Sequence, residues 1–86
     1  MAPRRTAPGL TKQRALVMLR ANLYNAGCVL AVVGEEELAL DALQRAIGAG
    51  LAGGDWIPQD PNWERLRDHP RFQALVERLA RRQQGL

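Results

Sequence analysis

The chain has 86 residues, 47% of them hydrophobic and 24% charged, with a formal net charge of +3 and an isoelectric point near 10.0. That length makes one small domain, near the size where a single hydrophobic core is barely sufficient. One cysteine, Cys28, permits no internal disulfide, and one histidine, His69, with that distant cysteine makes no metal cluster, so disulfide scaffolds, metal centres and metal cofactors are set aside.

Residues 1–10 are rich in proline and arginine and read as a flexible basic arm. No acidic residue precedes Glu35, while Arg4, Arg5, Lys12, Arg14 and Arg20 do, so the amino end carries a positive field. Leu16, Leu19 and Leu23 continue one helical face, which predicts a long first helix from near Thr11; a separate short helix over residues 11–19 is the alternative. Ala26 and Gly27 fall among Leu23, Leu30 and Val33 at steps of three and four. A glycine inside a helix costs about 1 kcal/mol relative to alanine, so Gly27 implies that another backbone approaches there. Gly34 fits the position just past a helix end, where a left-handed conformation is cheap only for glycine.

The apolar pattern restarts after Glu35, with Leu38, Ala39, Ala42, Leu43, Ala46 and Ile47 as its stripe and Asp41, Gln44 and Arg45 facing outward. Glu35, Glu36 and Glu37 sit in the first turn, where the helix dipole favours carboxylates. Gly48 and Gly50 end the helix. The chain over residues 11–54 is thus expected to be an antiparallel helix-turn-helix hairpin.

Leu23, Ala26, Gly27, Leu30, Gly34, Ala39, Leu43 and Ala46 occupy places at which the segment Arg20 to Gly53 resembles a single tetratricopeptide repeat. The resemblance covers about two fifths of the chain, with Leu51 where the closing proline of the repeat is usual. It implies a helical interaction module whose first helix lines a concave binding side. By the same resemblance Arg20, Tyr24 and Asn25 are the candidate partner-binding residues, an asparagine at the place of Asn25 often contacting a bound peptide. The basic residue usual one turn earlier is Ala21 here, so a full carboxylate clamp is not expected.

Residues 55–83 do not continue the pattern in register. Asp55-Trp56, Asp60-Pro61 and Asp68-His69-Pro70 each carry helix-start chemistry, and the last two fit best. Asp60 is expected to cap a short helix bearing Trp63 and Leu66, and His69 or Asp68 a longer one bearing Phe72, Leu75, Val76 and Leu79. The run Trp63 to Leu75, with its Leu-Arg-Asp-His-Pro-Arg-Phe-Gln-Ala-Leu stretch, is similar to the degenerate hairpin that closes many bacterial tetratricopeptide arrays, a capping role that repeat proteins need. Residues 84–86 are read as a tail. Trp56 and Trp63 are expected to cover the open end of the hairpin, with an exposed aromatic anchor as the alternative.

The expected fold is therefore all-α, and the expected function a non-enzymatic protein–protein interaction module that docks a partner's helix or peptide on its first-helix face. Alternatives are a self-associating regulatory or assembly element, forming a homodimer, and, with least support, a nucleic-acid binder using the basic arm. Catalysis has no constellation: His69 serves as a helix cap, Glu37 and Asp41 as solvated carboxylates, and the glycines from Gly48 to Gly54 lack the lysine and strand of a phosphate loop. A secretory signal and a membrane span are set aside because Arg20, Asn22 and Asn25 interrupt the apolar stretch and Ala26–Val33 is only eight residues. Eleven arginines against one lysine point to a G+C-rich, bacterial genome, and Cys28 to a reducing cytoplasm.

Overall fold

Thr11 accepts a hydrogen bond from the backbone N–H of Arg14 through its hydroxyl and so caps the first helix, α1, which runs Lys12–Val33 as one continuous element. The computed structural model describes residues 11–84; the basic arm over 1–10 and the last two residues of the tail lie outside them. Gly34 ends α1 with φ of 94°, its N–H bonded to Ala31 and that of Glu35 to the Leu30 carbonyl at 2.8 Å, so two otherwise orphaned carbonyls are satisfied by one glycine. The second helix, α2, spans Glu36–Gly48 and returns antiparallel to α1. Gly50 repeats the device at its end, with φ of 105° and the Leu51 N–H bonded to Ala46.

After the hairpin come two 3-10 turns, Ile57–Gln59 and Pro61–Leu66, and a third helix, α3, over Pro70–Gln84. Asp60 caps the second 3-10 turn by accepting from the backbone N–H of Asn62, and His69 Nδ1 accepts from the N–H of Arg71 at the start of α3. The Asp55-Trp56 step starts no helix of its own; Trp56 only precedes the first 3-10 turn. The fold is all-α, and no strand occurs among the described residues.

α2 occupies the middle, against α1 on one side and α3 on the other. This placement explains its wide buried arc, in which Ala39, Leu40, Leu43, Ala46 and Ile47 have no exposure at all. The stripe read from the sequence is corrected at two positions: Leu40 turns inward and Leu38 stays 53% exposed, because contact with α3 widens the arc on the Leu40 side. Glu37 and Asp41 are also more than solvated carboxylates. Arg71 of α3 donates to Glu37 Oε1 at 3.0 Å, to Asp41 Oδ1 at 2.6 Å and to Gln44 Oε1 at 2.9 Å, tying the start of α3 to one face of α2. The hydrogen bond to Asp41, with the charges of Asp41 and Glu37, raises the pKa of the Arg71 guanidinium further. At the other end, Arg82 donates to the Ile47 carbonyl at 3.0 Å, a cation at the carboxyl end of α2.

Gly27 is buried where the chain is tightest. A Cβ there would lie 3.3 Å from the Ala39 carbonyl oxygen and 3.1 Å from Cη2 of Trp63, so the close approach expected from the sequence involves both a backbone and an indole. Its neighbour Ala26 is exposed and takes no part in the helix contact, a correction to the paired reading. Helix geometry separates them by 100° about the axis, enough to place one in the core and the other in solvent. Replacing Gly27 by leucine is therefore expected to cost about 1–3 kcal/mol through overpacking, and Ala26→Leu less than about 0.5 kcal/mol. Thermal and urea unfolding followed by circular dichroism checks the contrast; equal effects would be inconsistent with this register.

Candidate functional site

The three residues expected to bind a partner are separated by the fold. Tyr24 points inward and is only 8% exposed, which removes it from the surface role. Its hydroxyl donates to Asp60 Oδ2 at 2.5 Å and accepts from Trp63 Nε1 at 3.0 Å, joining α1 to the second 3-10 turn. Arg20 is half-buried and reaches across to the end of α2, where its Nη1 would lie 3.1 Å from a Cβ at Gly50. Asn25 alone faces open solvent, on a shallow groove that it lines with Cys28, Val29, Val32, Val33 and Asn62.

Around Tyr24 the polar groups are satisfied internally. Asp60 Oδ1 accepts from the backbone and side chain of Asn62 at 3.0 and 2.9 Å, while Arg67 donates to the carbonyls of Pro58 and Asp60 and stitches the two 3-10 turns together. Burial opposes the charge on Asp60, but the hydrogen bonds from Tyr24 and Asn62 and the charge of Arg67 prevail and hold its carboxyl below the usual 3.8. Burial, then the bond to Asp60, pushes the Tyr24 phenol well above its ordinary value. Burial also raises the Cys28 thiol, whose Sγ lies 4.0 Å from Asp60 Oδ2; a protonated, buried thiol is a poor nucleophile. Among the described residues no group of three or more His, Cys, Asp or Glu side chains is placed to hold a metal ion.

The two tryptophans divide the roles foreseen for them. Trp63 has no exposure and stacks on Phe72 of α3 with centroids 5.5 Å apart. Trp56 meets the Tyr24 ring edge-on at 5.2 Å yet remains 47% exposed. Tyr24 thus stands between both indoles.

What remains open is the outer face of α1. Met18, Val29, Val32 and Val33 are 58%, 63%, 53% and 65% exposed, although valine and methionine are normally interior residues. Because α2 has 13 residues against the 22 of α1, the amino-terminal part of α1 overhangs the body, and Val17 and Leu19 are exposed with Met18. A second shallow groove beside Val32 is lined by Ala31, Pro61, Asn62, Glu64 and Arg65. Which valines stay outside depends on where the second 3-10 turn lands. The exclusion of a membrane span on length is corrected as well, since α1 as a whole is long and apolar enough to cross a membrane, by length and composition only. Of its apolar 18-residue stretch, 22% is buried within the fold.

Comparisons with protein families, with curated proteins and with solved structures return no match to this chain.

Removing the Asp60 charge tests the internal network. A carboxyl with a depressed folded pKa contributes stability that is present above its unfolded pKa and lost as the pH falls through the folded one. Asp60→Asn is expected to cost about 1–3 kcal/mol at neutral pH, and the gap to the wild-type chain to narrow between about pH 5 and 2. Urea titrations at a series of pH values measure it; a gap that is constant with pH would contradict the assigned charge. Tyr24→Phe is expected to destabilise by a similar amount by leaving Asp60 Oδ2 and the Trp63 N–H unpaired.

Proposed function

We propose that this chain is a non-enzymatic protein–protein interaction module, tetratricopeptide-like in its hairpin, that docks a partner's helix on the outer face of α1. The observation that carries the reading is the row of exposed apolar side chains Met18, Val29, Val32 and Val33 beside a groove with a polar rim of Asn25 and Asn62. Burying each such side chain is worth about 1.5–3 kcal/mol relative to leaving it in water, and a helix laid in a groove gains this through anchors at steps of three and four. Asn25 and Asn62 supply orientation, since their amides both donate and accept. Arg20 is held against the Gly50 loop, on the side of α1 away from this face.

Two further features support an interaction role over catalysis. The polar groups of Tyr24, Asp60 and Trp63 satisfy one another, so none is poised to act on a substrate. Cys28, buried and protonated, suits a reducing cytoplasm as a small core residue.

A photo-cross-linking amino acid in place of Val29 tests the proposal in living cells. Protein adducts are expected from this position, and not from the same group placed at Glu77, which is exposed on α3. Absence of any protein adduct at Val29, whether to another protein or to a second copy, would refute the docking role.

A further inference from the structure

The exposed face of α1 has a period of its own. Thr11, Ala15, Met18, Asn22, Asn25, Val29 and Val32 follow one another at alternating steps of four and three residues, and every one of them is exposed. Such alternation is the narrow seam by which one helix pairs with another in a coiled coil, distinct from the wider stripe that faces a globular core. The face toward the core uses other residues, Tyr24, Gly27, Cys28 and Ala31, so α1 presents two separate packing surfaces and only one is covered within the chain.

The seam is also symmetric in residue class about the midpoint between Leu23 and Tyr24. Turned end for end, it sets Asn22 opposite Asn25, Met18 opposite Val29 and Ala15 opposite Val32. A contact in which residue i meets j and j meets i is the requirement of a two-fold dimer. The charges obey the same operation. Lys12 and Arg14 lie at one end of α1, and Glu35 and Glu36 follow the Gly34 turn at the other, so reversal brings cations against anions at both ends. Among the described residues none of these four side chains is ion-paired.

We infer that the partner of the α1 face is a second copy of this chain, paired antiparallel along this seam with Asn22 against Asn25 at its centre. The inference rests on reading that face as a docking surface. A parallel pair is disfavoured because it sets Lys12 and Arg14 beside their own copies and Glu35 and Glu36 beside theirs. An anionic bilayer fits less well, since Glu35, Glu36 and Glu37 adjoin the apolar end at Val32 and Val33, and two asparagines occupy the centre of the seam. In the antiparallel pair the overhanging Met18 of one copy lies toward the exposed Val29 of the other, with Ala15 toward Val32, and the two bodies stay on opposite outer sides. The asparagines pair through their amides, which costs stability but sets register and direction.

Sedimentation equilibrium of the full chain over a concentration series, with folding verified by circular dichroism, provides the test. The wild-type chain is expected to be a dimer; K12E/R14E and E35K/E36K are each expected to weaken it at least about tenfold, and their equimolar mixture to restore it as a heterodimer. That restoration is specific, because each variant alone sets like charges together at both ends while the mixture matches them. Direction is read by oxidising a mixture of Met18→Cys and Val29→Cys chains in a Cys28→Ser background. Facing positions across a helix pair approach within disulfide range, so a mixed disulfide is expected, whereas a Met18→Cys homodimer would show parallel pairing and overturn the inference. A monomer at all concentrations whose Val29 cross-links to a different protein would overturn it and leave the docking role intact. A monomer without protein adducts that binds vesicles of anionic phospholipid would overturn both.

Discussion

The fold turns on one side chain, the Trp63 indole, and on the glycine that makes room for it. Its ring edge lies against Gly27 of α1, its face stacks on Phe72 of α3, and its N–H is held by Tyr24. A large planar residue with a single donor suits such a place, because it fills the space between two helices and still satisfies its polar atom. Tyr24 passes the network on to Asp60, which caps the same 3-10 turn that carries Trp63. Packing, hydrogen bonding and local chain direction are thereby set by the same few residues, and loss of any one leaves a buried polar group unmatched.

That arrangement determines what is left over. The second 3-10 turn and α2 together cover one side of α1. A helix that is apolar around most of its circumference finds a stable setting only when its other side is covered too, by protein or by lipid. The interaction role proposed for the chain rests on this asymmetry rather than on any single recognisable site. On the covered side, burial keeps the Cys28 thiol protonated, and burial with the bond to Asp60 does the same for the Tyr24 phenol.

Local signals in the sequence were most legible where one residue answers one backbone requirement. Thr11, Gly34, Asp60 and His69 mark helix ends, and each does so by a hydrogen bond or dihedral that depends on its immediate neighbours only. The continuous α1, the end of α2 near Gly48 and the buried positions Phe72, Leu75 and Leu79 of α3 follow from the same local rules plus apolar spacing. Less legible were choices among neighbours on one helix. Leu38 and Leu40 are equally apolar, and only the presence of α3 beside α2 selects Leu40 for the core. The same holds for Ala26 against Gly27, and for Glu37 and Asp41, which look like ordinary solvated carboxylates until Arg71 arrives from thirty-four and thirty residues away in the chain.

Tyr24 shows the boundary most clearly. Its place on the first helix, beside Asn25, is a matter of sequence alone, but the two differ by 100° about the helix axis, and that rotation places one in the core and the other in the groove. The sequence by itself determined an all-helical chain, its turns and caps, and a surplus of apolar surface on its first helix, because these depend on backbone dihedrals, short-range hydrogen bonds and composition. Only the tertiary structure decided which face of that helix is spent on the core, since the covering element, the turn bearing Trp63, meets Tyr24 across thirty-nine positions of the chain. No local rule carries information over that separation; it is set by the fit of an indole over a glycine.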